Sequence, residues 1–94
     1  MLDVNGAKNN EFLEYKGRPL VRQGDDIYYG DLSAEYHVYL MIMDEKDTPK
    51  GVKVPTTIMV QLLQKASTMP KKQIICTNGL PDALETAAAW LDRV

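Results

Sequence analysis

The chain has 94 residues, 45% of them apolar and 26% charged, which is the balance of a globular domain with one hydrophobic core and excludes both a disordered chain and a second domain. Its formal net charge of −2 and sequence pI near 5.3 exclude the uniformly basic surface that attracts nucleic acid or anionic lipid. The one cysteine, Cys76, excludes an intrachain disulfide, and no apolar run has the length of a signal peptide or a membrane span, so a reducing, cytoplasmic setting and no membrane partner are expected.

In chain order, residues 1–10 contain Asn5, Gly6, Lys8, Asn9 and Asn10 and read as a flexible N-terminal arm ahead of a single domain over residues 11–94. From Phe12 to Leu20 the pattern is mixed, and Gly17 and Pro19 allow at most a short or bulged edge strand. Leu20 to Arg22 and Ile27 to Tyr29 are β-prone runs around Gly24-Asp25, a dipeptide suited to a tight hairpin. Gly30 to Glu35 reads as a loop in which Asp31 and Ser33 can bond local amides.

Tyr36 to Met43 is an unbroken run of aromatic, branched and other apolar residues interrupted only by His37, and it predicts the central strand. Asp47 to Gly51 supplies turn chemistry, and Val52 to Leu63 predicts a second long strand, with Pro55 marking an edge-facing amide or a bulge near its start. Ala66 to Lys72 connects to a short strand over Gln73 to Thr77, closed by Asn78-Gly79.

Leu80 to Arg93 predicts a helix, with Pro81 in the first turn, Asp82 and Glu85 toward its positive end and Arg93 at its negative end. At 100° per residue Leu80, Ala83, Leu84, Ala87, Ala88, Trp90, Leu91 and Val94 share one arc. The fold class expected is α+β: an antiparallel meander of about four to five strands with this C-terminal amphipathic helix packed on one face.

Alternation divides the long strands into two sets. Val38, Leu40, Ile42, Ile58, Val60 and Leu62, joined by Ile74 and Cys76, form an aliphatic face for the helix. The other set is His37, Tyr39, Met41, Met43, Thr57, Met59, Gln61 and Leu63, with Ile75, and it lacks the charged residues of a solvent-facing sheet. One helix cannot cover both. The second face calls for the N-terminal segment, the Ile27 to Tyr29 hairpin folded over it, a second copy of the chain, or a ligand.

Motifs with a chemical mechanism are missing. One histidine and one cysteine without paired spacing exclude a zinc motif, and Asp44, Glu45 and Asp47 lack the spacing and glycine of a calcium loop. Parity puts His37 and Cys76 on opposite faces, which disfavours a nucleophile–base pair. No catalytic residue, cofactor or metal is assigned, and a non-enzymatic role is expected.

Two candidate surfaces remain. Tyr39, Met41, Met43, Met59 and Leu63 form a candidate interface for a homodimer or another protein partner, since tyrosine and methionine give large, adaptable contact areas. Arg18, Arg22, Tyr28 and Tyr29 form a candidate ligand surface for a small molecule or single-stranded nucleic acid; the acidic balance argues against the nucleic acid.

The segment Tyr15-Lys16-Gly17-Arg18-Pro19-Leu20-Val21-Arg22 with Ile27-Tyr28-Tyr29-Gly30-Asp31, together with Leu80-Pro81-Asp82-Ala83-Leu84 and Ala88-Ala89-Trp90-Leu91, resembles a group of small proteins of Gram-positive bacteria to which no activity is assigned. The likeness covers most of the chain from Tyr15 onward. It implies a bacterial cytoplasmic protein and transfers no site residues.

Overall fold

A computed structural model describes residues 10–94. The expected N-terminal arm lies outside the described residues except for Asn10, which already belongs to the first strand. Six strands, β1 (Asn10–Tyr15), β2 (Arg18–Gln23), β3 (Asp26–Tyr29), β4 (Tyr36–Asp47), β5 (Lys53–Gln64) and β6 (Lys72–Cys76), precede one helix, α1 (Leu80–Arg93). The strands form a single sheet in the order β1-β2-β3-β4-β5-β6, every neighbouring pair antiparallel. The α+β meander with a C-terminal helix on one face is as the sequence predicts, but it has six strands instead of four to five.

The additional strand comes from the region read as mixed. Tyr15 pairs with Arg18 around Lys16 and Gly17, whose φ angles of 52° and 79° give the positive φ at both central positions that a type I′ hairpin turn needs. Asparagine or glycine usually takes the first of these positions; a lysine there gives no turn signal. Pro19 also sits one strand in from the edge, paired with Glu14. Its carbonyl accepts from the Gly30 amide at 2.9 Å, so its nitrogen faces the same side. Because β3 ends at Tyr29, the missing N–H costs the sheet no bond within the β2–β3 ladder.

The β4–β5 hairpin forms the spine. Its register runs from Tyr36 opposite Gln64 to Ile42 opposite Ile58, then shifts so that Asp44 faces Thr57 and Glu45 faces Pro55. Met43 is the extra residue on β4 and Thr56 the extra residue on β5, a pair of compensating bulges. The bulge expected near Pro55 is therefore present, and the Thr56 carbonyl accepts from the Gly79 amide at 3.2 Å, which ties the start of α1 to the sheet.

The helix buries Ala83, Ala87, Ala88 and Leu91 against Leu20, Ile27, Tyr29, Val38, Leu40, Ile42, Ile58, Val60, Leu62 and Cys76. It lies over β4 and β5. Two expected core residues fall outside this cluster: Ile74 is 44% exposed and Val94 is 58% exposed. Ile74 has the correct parity, opposite Val60, but β6 is an edge strand with no further strand beside it. Val94 is the C-cap, past the last helical residue. The β2–β3 hairpin does not fold over the second face, because β3 continues the sheet by pairing with β4 from Asp26–Met41 to Tyr29–Val38.

Gly30 marks the closest approach of loop and helix. Its φ is +100°, and a Cβ there would lie 3.1 Å from Leu91 Cδ1. A side chain is thus opposed both by backbone conformation and by the packed helix. Gly30→Ala should lower the unfolding free energy by about 1–3 kcal/mol, measured by urea denaturation, whereas Gly51→Ala, with nothing within 4 Å of the new Cβ, meets the φ penalty alone and costs less.

Candidate functional site

The side of the sheet opposite the helix is assembled by alternation from four strands. Tyr28 stands opposite Tyr39 across β3 and β4; His37, Tyr39 and Met41 stand opposite Leu63, Gln61 and Met59 across β4 and β5; Met59 and Gln61 stand opposite Ile75 and Gln73 on β6. Ile75 is 47% exposed, and the others on β3, β4 and β5 are half-buried by one another. Among the described residues no element packs over them. Of the expected interface, Tyr39, Met41, Met59 and Leu63 come together here. Met43 has no partner in the register; it sits in the bulge at 50% exposure, so counting by twos along β4 fails at this residue.

The polar groups of this face are largely paired within it. The Tyr39 hydroxyl donates to Asp26 Oδ1 at 2.7 Å, and its ring lies 5.4 Å from that of Tyr28. Burial first, and then this bond to a carboxylate, push the Tyr39 phenol up to about 12. The Gln61 amide donates to Gln73 Oε1 at 2.7 Å and rests 3.9 Å from Met59 Sδ. Asp26 accepts from the Tyr39 hydroxyl and Gln73 accepts from the Gln61 amide, so these two donors keep partners when the centre of the face loses water. His37 is the exception. Its Nδ1 is buried without a hydrogen-bond partner, and loss of solvent holds the imidazole below its usual 6.5.

The expected ligand surface is divided by the sheet. Tyr29 is fully buried under the helix, where its hydroxyl donates to the Tyr15 carbonyl at 2.8 Å, while Tyr28 points to the opposite side with Tyr39. Adjacent residues of a strand cannot share a face. Arg18 is drawn to the helix side by Asp92, Nη2 to Oδ1 at 2.7 Å, and Arg22 donates to the Gly24 carbonyl at 2.8 Å. The four residues do not converge. A cleft of about 610 Å³ includes Arg18, Tyr36 and Leu91 in its wall, but the Arg18 guanidinium is already committed to Asp92 and neither Tyr28 nor Tyr29 lines it.

A polar latch that local sequence patterns do not reveal joins the first hairpin to the helix. The Tyr15 hydroxyl donates to Glu85 Oε2, and Lys16 Nζ reaches Glu85 Oε1 at 3.0 Å; the Arg18–Asp92 pair lies one helical turn and three residues further on. Hydrogen bonds from Tyr15 and then Lys16 hold the Glu85 carboxyl below the usual 4.5. Partners some seventy positions apart carry no spacing signal, and only the tight Lys16-Gly17 turn brings them within reach.

Among the described residues His37 and Cys76 do not come together. Cys76 is buried on the helix face and His37 belongs to the other. Asp44, Glu45 and Asp47 are exposed at the end of β4, with Asp47 paired to Lys53 at 3.3 Å, and among the described residues no cluster could hold a metal ion. No described helix is long and apolar enough to cross a membrane. No family model, curated protein or solved structure matches the chain.

Two titrations follow. The stabilisation that depends on ionised Glu85 is complete above 4.5 and is lost as pH falls through the lowered value; Glu85→Gln should therefore flatten the acid limb of a stability-versus-pH profile. The His37 imidazole, followed by NMR, should titrate with a midpoint below 6.5, and stability should fall as pH drops through 6.5 because the unfolded chain takes up that proton more readily.

Proposed function

We propose that the protein is a non-enzymatic interaction module that self-associates through the side of its sheet opposite the helix. The observation that carries this reading is the combination of an apolar face, built from Tyr28, Tyr39, Met41, Met59 and Leu63, with polar groups already paired inside it. On such a surface the Tyr39 hydroxyl and the Gln61 amide keep their partners on desolvation, and the aromatic and methionine side chains gain burial.

Charge favours a second copy as the occupant. The chain carries a net −2, yet the paired positions Tyr39–Gln61 and Met41–Met59 hold no charged side chain, and the carboxylate beside them, Asp26 opposite Met41, is engaged by the Tyr39 hydroxyl. A two-fold contact needs only a self-complementary patch, and one centred on β5 keeps the two Asp26 carboxylates apart. The bacterial, cytoplasmic setting expected from the sequence belongs with this reading.

Met41→Glu places a carboxylate at the centre of the face, where dimerisation would bury one from each copy. It should weaken association by roughly 100-fold or more in light scattering on a sizing column, while far-UV circular dichroism stays that of the wild type because the helix-covered core is untouched. A wild-type chain that runs as a monomer at high micromolar concentration would overturn the proposal.

A further inference from the structure

The free edge of the sheet at β6 has a different character from the open face, and its hydrogen-bonding pattern can be worked out. The Lys65 amide donates to the Glu35 carbonyl at 2.8 Å, one step beyond the Tyr36–Gln64 pair. Hydrogen-bonded pairs alternate in an antiparallel ladder, so His37–Leu63, Tyr39–Gln61 and Met41–Met59 are the bonded pairs of β4 and β5. The backbone groups of Ile58, Val60 and Leu62 consequently face β6. The Lys71 amide, 2.8 Å from the Leu62 carbonyl, agrees with this. Their partners on β6 are Cys76, Ile74 and Lys72, which leaves the N–H and C=O of Gln73 and Ile75 directed outward.

We propose that β6 pairs with β6 of a second copy, antiparallel and centred on Ile74, to make a continuous twelve-stranded sheet. In that register Gln73 of each chain meets Ile75 of the other, and all four outward backbone groups of each strand segment are used. Ile74 meets its own copy at a close, non-bonded position, which covers a side chain otherwise 44% exposed. Lys72 falls opposite Cys76, so no ammonium groups oppose each other, and the Lys72 side chain is already drawn over the Trp90 ring, 5.8 Å from its centroid. Edge strands usually carry charges that discourage such pairing; β1, the other edge, has Glu14, whereas β6 presents Ile74 and Ile75, 44% and 47% exposed.

The edge contact stands independently of the face contact. The two-fold axis of an antiparallel strand pair runs perpendicular to the sheet, so both helices lie on one side and both open faces on the other. If the faces also pair, the assembly closes as a tetramer with two extended sheets inside and the helices outside.

Ile75→Pro tests the edge, because it removes an N–H that points outward and breaks no bond to β5, while Ile75→Ala trims the same side chain and keeps the amide. The edge predicts that Ile75→Pro loses one two-fold step of assembly in light scattering, Ile75→Ala retains it, and the wild-type Gln73 and Ile75 amides exchange slowly with deuterium in a concentration-dependent way. Fast exchange of both amides at high micromolar concentration, or an unchanged assembly in Ile75→Pro, overturns it. Met41→Glu, measured alongside, separates the two contacts: loss of assembly in that variant with none in Ile75→Pro leaves the face contact and removes the edge contact. Should Ile75→Pro lose its fold by circular dichroism, the wild-type exchange rates alone decide.

Discussion

The antiparallel pairing of β4 with β5, with Leu40 opposite Val60 and Met41 opposite Met59, sets which side of the sheet every other element meets. A slip of one residue would exchange the aliphatic set for the tyrosine and methionine set. The helix has a stripe of alanines and leucines that fits only the first. Its start is held to the same hairpin, because the bulge at Thr56 offers a carbonyl to the Gly79 amide. The bulges also end the regular alternation at Ile42, and beyond them the remainder of β4, Asp44 to Asp47, is charged and exposed.

Tyr28 and Tyr29 show the division of labour at its narrowest. Tyr29 goes under the helix and closes the core toward the first hairpin, with its hydroxyl on the Tyr15 carbonyl and its ring edge-on to Tyr15 at 5.8 Å. Tyr28 goes to the open side and packs on Tyr39. The first hairpin is then joined to the helix by Tyr15, Lys16 and Arg18 through exposed carboxylates. Contacts of this kind are individually weak in water, so they orient the hairpin more than they stabilise it.

The elements legible in the sequence are those whose signal is local. The helix carries both a stripe and end charges, β4 and β5 are long uninterrupted β-prone runs, and Gly24 has the positive φ, 63°, that its turn needs. The β1–β2 hairpin was not legible because Lys16 occupies a position where turn signals come from asparagine or glycine. Parity grouped Tyr39, Met41, Met59 and Leu63, and it does not carry through Met43, where a bulge changes the count without marking the sequence. The Arg18, Arg22, Tyr28 and Tyr29 grouping relied on composition alone, and composition does not say which side of a strand a residue takes.

Dimensions explain why so much apolar surface stays open. A helix of 14 residues is roughly 21 Å long and about 10 Å across, and strands spaced about 4.8 Å apart allow it to cover two or three of them. Six strands exceed that width. On the helix side the deficit appears at Ile74 on one flank, which stays 44% exposed, while on the other flank Leu20 and Tyr15 pack on the core and polar contacts complete the connection to the helix. On the opposite side the described residues provide no covering element at all. The exposure of Ile74 therefore reflects a sheet wider than its helix, and the open tyrosine and methionine face, with Ile75, reflects a single helix that can cover only one side. Under the self-association proposed above, a second copy of the chain would supply what the fold lacks at each place: a strand at the edge and an apolar layer across the face.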